Sequence, residues 1–144
     1  MKKILISIVF IGIGLASFFY FSAPKESEES GNIEVVLVDE IGDIISSKTL
    51  PYYEGDTLFK VLDENYDILC ADASYNPSSD CNSVGINGRV ILGIDTLITN
   101  WQNNYISIYI NDDYAVQGID QIELQNNAIY KFEFLVIGGA SNED

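Results

Sequence analysis

Gly55-Asp56-Thr57-Leu58-Phe59-Lys60-Val61-Leu62-Asp63-Glu64-Asn65-Tyr66 is the stretch on which the fold reading turns. Leu58, Val61, Leu62 and Tyr66 recur at i, i+3, i+4 and i+8, one apolar stripe on a helix. Asp56 stands where an N-cap is wanted, so the spacing predicts a helix over 57–66. Nothing else in the polar part of the chain repeats at helical spacing. On both sides the pattern is that of strands. Ile33 to Val38 is β-branched; Asp39 to Asp43, with Gly42, reads as a turn; Ile44 to Leu50 returns and is expected to end at Pro51.

Further on, residues 67–85 are the least regular, with Pro77 among Ser, Asn and Asp. Asn87-Gly88 is a hairpin signal between Ile86 and Val90-Ile91-Leu92. After Trp101, Ile106, Ile108 and Ile110 alternate with Tyr105, Ser107 and Tyr109, which is strand periodicity. Asn111-Asp112-Asp113 is a polar turn, Ile122 to Leu124 a short strand, Asn126-Asn127 a turn, and Ala128 to Ile137 the closing strand. The expectation is an α+β domain: a mainly antiparallel sheet with one helix packed on it, over residues 33–137.

Ahead of this domain, Met1-Lys2-Lys3 precedes an uncharged run from Ile4 to Ala23. Its 20 residues make about 30 Å of helix, enough to cross a bilayer core. Lys2 and Lys3 should hold the N-terminus in the cytoplasm, so that the domain is extracellular and the protein single-pass in the cell membrane. An uncleaved signal anchor over 1–23 is the better fit. Cleavage after Ala16 would leave Phe18 to Phe21 at a new terminus, and cleavage after Ala23 would need Phe21 where a small residue belongs; a cleaved signal peptide is the alternative. Residues 24–32 are polar and acidic and read as a tether; residues 138–144 read as a flexible tail.

Charge excludes more than it suggests. All 22 acidic residues lie from Glu26 onward, against four bases there, a net of −18 for residues 26–144. Such a surface repels phosphate backbones, and no nucleic-acid partner is expected. The chain has no histidine, which removes His-based triads and the usual zinc and haem ligand sets. No nucleophile motif, phosphate loop or zinc pattern is present. Acidic pairs such as Asp39/Glu40, Asp63/Glu64 and Asp112/Asp113 arise by composition alone, so no catalytic residue and no enzyme is expected.

Cys70 and Cys81 are the only cysteines. In an exported domain they suggest a disulfide; two free thiols or a redox pair are the alternatives, the latter at an unsuitable spacing. Between them Asp72, Ser74, Asn76, Ser78 and Asp80 alternate in the manner of a calcium loop. Pro77 stands where glycine is needed and Ser83 where a bidentate glutamate belongs, so a solvated polar loop is the reading and no metal is expected. Trp101, Tyr105, Tyr109 and Tyr114 cluster within 14 residues. If the isoleucines of the strand are core, the tyrosines form a partly exposed aromatic stripe, a surface suited to flat ligands or protein partners.

Gly55 to Asn65 also resembles the helix start of the transcobalamin-like C-terminal domain family. The order Trp101, an aromatic strand ending at Asn111, Gly118, Ile122-Glu123-Leu124, a turn and Ile129-Tyr130-Lys131-Phe132 resembles its second half. Two family glycines are replaced, at Asp112 and Asn127, and Asn127 can still adopt the left-handed conformation of the turn. The resemblance implies a β-grasp-like fold and a non-catalytic, ligand-binding role, with Asn111 joining Trp101, Tyr105, Tyr109 and Tyr114 as candidate contacts. It implies capture of a small, corrinoid-like ligand by analogy only, since no residue is a recognisable cobalt ligand and no cofactor is expected. A structural or adhesive surface module contacting proteins or wall polymer is the alternative.

Overall fold

The computed structural model describes residues 29–82 and 88–138. The apolar run over 4–23, Asn87 of the expected hairpin and nearly all of the expected tail lie outside them. Among the described residues no helix is long and apolar enough to cross a membrane.

The described residues form two sheets and one short helix. Strands β1 (Glu29–Val38), β2 (Ile44–Tyr53), β7 (Asn104–Ile110), β8 (Asp113–Tyr114) and β9 (Ile129–Val136) make a five-stranded sheet in the order β2-β1-β9-β7-β8. Its central pair, β1 with β9, is parallel; the other pairs are antiparallel. Strands β3 (Ile68–Ala71), β4 (Pro77–Ser78), β5 (Ile91–Ile94) and β6 (Leu97–Ile98) make a smaller antiparallel sheet, ordered β4-β3-β5-β6. Helix α1 spans Leu58–Asp63. Among the described residues the fold is mostly β with one short helix.

The helix lies against the inner face of the large sheet. Leu58, Val61 and Leu62 are fully buried with Ile33, Val35 and Leu37 of β1 and with Tyr130 and Phe132 of β9. The expected stripe is therefore the packing face, but the helix is shorter than 57–66. Its N-cap is Thr57, whose Oγ1 accepts from Lys60 N at 3.2 Å, and not Asp56. Asp56 instead accepts from Tyr53 N at 2.8 Å and from Lys60 Nζ at 2.6 Å, closing the corner between β2 and α1. Burial alone would raise the Asp56 pKa, but these bonds and the nearby ammonium outweigh it and hold the carboxyl below its ordinary value.

Other boundaries move for identifiable reasons. β1 begins at Glu29, inside the stretch expected as tether. Asn32 holds that start in place: its N–H donates to Asn126 Oδ1 at 3.0 Å and its carbonyl accepts from Asn127 N at 2.7 Å. Because both polar groups of Asn32 face away from β2, its cross-strand partner Pro51 owes it no N–H, and β2 continues through the proline to Tyr53.

The irregular stretch contains β3 and β4, and Cys70 and Cys81 are bonded, with Cα atoms 5.2 Å apart. Ile122 to Leu124 forms no strand. Ile122 is buried, and the segment is fastened by Tyr130, whose hydroxyl donates to Glu123 O at 2.8 Å and accepts from Gln125 N at 2.9 Å.

Candidate functional site

A cleft of about 670 Å³ opens along the outer edge of β7. Its floor is apolar: Ile106 and Ile108 of β7, Phe132 of β9, and Ile119. Gly88 to Ile91 form one wall, and the segment Ala115 to Gly118 forms the other. Tyr75, Trp101, Tyr114 and Val116 stand at the mouth, 61%, 40%, 56% and 89% exposed.

Arg89 is the one charged residue in this described lining. Its guanidinium pairs with Asp120, its backbone N–H donates to Asp120 Oδ2 at 2.6 Å, and its Nε donates to Cys81 O at 2.7 Å. The same guanidinium lies over the Phe59 ring, 4.2 Å from its centroid. Gly88 is required beside it: it has φ +97°, and a Cβ there would fall 2.9 Å from Asp120 Oδ2. The cleft is thus nearly neutral in a strongly acidic domain.

Two of the mouth aromatics are held in the left-handed region. Tyr75 and Trp101 both have φ +61°, a conformation that costs a bulky side chain about 1–2 kcal/mol. Side-chain turns of neighbouring residues impose it. Asn100 Oδ1 accepts from Gln102 N and Asn103 N at 3.1 and 2.9 Å, while Asn104 Oδ1 accepts from Asn100 N at 2.8 Å. Asp72 Oδ1 accepts from Ser74 N and Asn76 N, each at 2.8 Å. Those backbone donors, Asn76 first, hold the Asp72 carboxyl below its ordinary pKa. Asp72, the first of the alternating oxygens of 72–80, thus makes the turn that projects Tyr75, while Ser78 and Asp80 accept from Asp80 N and Asn82 N further along. Among the described residues no group of three or more metal-ligating side chains converges.

The isoleucine–tyrosine alternation of β7 divides as its spacing predicts. Ile106, Ile108 and Ile110 pack against the core, and Tyr105 and Tyr109 lie half-buried on the other face. There Trp101 meets Tyr105 edge-on at 6.2 Å, and Tyr109 meets its cross-strand partner Tyr114 edge-on at 5.7 Å. Desolvation, with Tyr114 and Tyr109 nearby, raises the Tyr105 pKa.

The candidate contacts therefore separate. Trp101, Tyr105 and Tyr114 line the cleft. Tyr109 does not; its ring carries the Lys131 ammonium 4.5 Å from the centroid. Asn111 does not either. Its carboxamide oxygen accepts from Ile129 N at 2.9 Å and its own N–H donates to Ile129 O, so it ties the β7–β8 turn to β9. Sequence reasoning missed Tyr75 and Arg89. The signal for Tyr75 was the Asp72–Ser74–Asn76 spacing, an Asx turn as well as a partial calcium pattern; nothing in the sequence set Arg89 beside the aromatics.

No family model matches the chain, and neither does any curated protein. Solved structures do match. One is a candidate metal-binding protein from Ruminococcus gnavus, 11% identical, with a TM-score of 0.53 over 75% of this chain and 99% of that one. Another is haptocorrin in complex with Cbi, 14% identical, with a TM-score of 0.49 over 80% of this chain and 28% of that one. The likeness to the Ruminococcus protein is one of fold.

Proposed function

We propose that this chain is a membrane-anchored extracellular binding module with a β-grasp-like domain, and that the β7 cleft is its binding site. The observation that carries the reading is the pair of aromatics, Tyr75 and Trp101, held at positive φ at one cleft mouth from two different loops. Backbone strain of this kind persists where surrounding structure enforces it, and it gathers at ligand sites. The parallel β1–β9 centre with α1 on one face supports the β-grasp-like reading.

The lining supports binding over catalysis. It offers aromatic and aliphatic surface, the Ser107 hydroxyl held on Glu133 O, and an arginine already neutralised by Asp120. The Ile4–Ala23 run and Lys2-Lys3 support the anchor, and the Cys70–Cys81 bridge supports an oxidising, exported setting. A metal-binding role like that given to the Ruminococcus protein finds no cluster among the described residues to support it. Corrinoid capture rests on the sequence resemblance.

Trp101 is the only tryptophan, so its emission reports on the cleft mouth. With the full-length protein in detergent, flat ring compounds (a corrinoid among them) and short extended peptides should be titrated separately. At least one class should change the emission saturably, and Trp101→Ala should weaken that binding roughly tenfold or more. Indifference to both classes would remove the binding reading.

A further inference from the structure

We propose that the outer edge of β7 accepts an extended, lysine- or arginine-bearing segment of a partner polypeptide as an added strand, with alternate side chains seated in the apolar cleft. The proposal rests on the cleft being the binding site and names the class of guest.

The first support is the direction of the backbone. Ile137 N donates to Asn103 O on the β9 side, and Ala115 N donates to Ile108 O on the opposite side. In an antiparallel pair the polar groups alternate in direction, so Asn104 and Ile106 turn their N–H and C=O groups outward, as Ile108 does. β8 reaches only Tyr109 and Ile110, and Ala115 extends that pairing to Ile108. No described residue pairs with the outward edge before it. About 10 Å of strand edge, from Asn104 to Ser107, therefore runs beside the cleft with the main-chain donors and acceptors of Asn104 and Ile106 to offer. A flat ring compound would cover the cleft floor and leave those groups without main-chain partners; a strand meets both.

The second support is charge. The described residues carry 18 acids and four bases, a net of −14. Each of the four bases is already engaged. Lys60 pairs with Asp56, Arg89 with Asp120 and Lys131 with Glu133, while Lys48 donates to Asn65 O and lies over the Tyr66 ring. A field of that sign draws in cationic segments and repels a second copy of this chain, which would bring the same charge to the same edge. The near-neutral cleft accepts the apolar side chains, and the acidic surroundings face the cationic ones.

The test uses the full-length protein in detergent at low ionic strength and three synthetic peptides. One alternates valine with threonine or lysine; a second has glutamate for every lysine; a third keeps the lysines but carries N-methyl groups along one backbone edge. Trp101 emission and the hydrogen exchange of the Ile106 amide are read together. The lysine peptide should bind saturably and slow Ile106 exchange roughly tenfold or more, and the other two should bind roughly tenfold or more weakly. Ile106→Pro should fold, because its N–H faces outward, and should lose the peptide; the N-methyl peptide probes the same edge on the unaltered protein. Equal binding of the N-methyl peptide would overturn the proposal. So would an Ile106 amide already protected without peptide. If flat ring compounds move Trp101 and no peptide does, the cleft remains a binding site and strand addition falls; if nothing moves it, both readings fall.

Discussion

The large sheet ends in two edges that are built differently. At β2 the edge is blunted three times. Ile45 is an extra residue between the Leu37–Ser46 and Val38–Ile44 pairs, Lys48 places an ammonium in the middle of the strand, and Pro51 withholds an N–H near its end. Bulge, lysine and proline are the usual protections of an exposed strand against unwanted pairing. At β7, Asn104 to Ile108 carry none of them. What stands there is an overhanging wall: the Tyr75 turn, the Gly88–Ile91 segment and the Ala115–Gly118 segment, with a cleft between them and the strand.

The difference teaches where selection of a partner resides. A blunted edge refuses every strand. A walled edge refuses broad surfaces and admits a narrow one, and side chains of the wall decide which. Much of that wall is tied back by polar contacts of residues that are not themselves in the cleft: Asp72, Asn100, Asp120 and the Cys70–Cys81 bridge.

The largest expected effect comes from cutting the wall at its covalent tie. Cys70→Ser opens a loop closed over 11 residues of separation and should destabilise by about 2–5 kcal/mol. The guanidinium unfolding midpoint should fall, and ligand binding should weaken with it. An unchanged midpoint would show that the wall does not depend on the bridge. Next is Tyr130→Phe. It leaves Glu123 O and Gln125 N without their hydroxyl partner and should cost about 0.5–1.5 kcal/mol in thermal unfolding. Burial keeps that phenol above its ordinary pKa, so it remains a donor throughout the neutral range.

Much of this architecture could be read from the chain, and the omissions have physical reasons. The apolar stripe of α1, the β1 run and the β7 alternation are periodic, and periodicity survives without tertiary context. Trp101, Tyr105 and Tyr114 were visible as a cluster. β3, β4 and β6 were not, because two to four residues show no period, and they are held by a disulfide and by neighbours distant in sequence. Ile122 to Leu124 has strand composition, but the Tyr130 hydroxyl takes the backbone groups a ladder would have used. Tyr109 and Asn111 had the composition of ligand contacts, yet a lysine and a backbone amide from β9 engage them first.

Trp101→Gly separates strain from function at the walled edge. Glycine adopts φ +61° without steric cost, and the indole is largely outside the core, so removing it should leave stability unchanged or raise it by about 1 kcal/mol. Binding should fall all the same. A loss of several kcal/mol in thermal unfolding would instead place Trp101 among the core residues and remove the reason for assigning it to the site.

Pro51→Val has the smallest expected effect, and it addresses the other edge directly. Pro51 faces Asn32 across a pair whose polar groups point outward, so valine would restore an N–H on the solvent side of β2 without disturbing the ladder. Stability should change by no more than about 0.5 kcal/mol. The visible consequence should be association. At low ionic strength the net charge keeps copies apart; at high salt the charges are screened and the unblunted β2 edge can pair with another. Sedimentation velocity should show a monomer at low salt and a growing dimer fraction at high salt for the variant, with the unaltered protein monomeric in both. If the variant also stays monomeric at high salt, the Ile45 bulge and Lys48 suffice to guard β2, and the contrast between the edges rests on those two features and not on the proline.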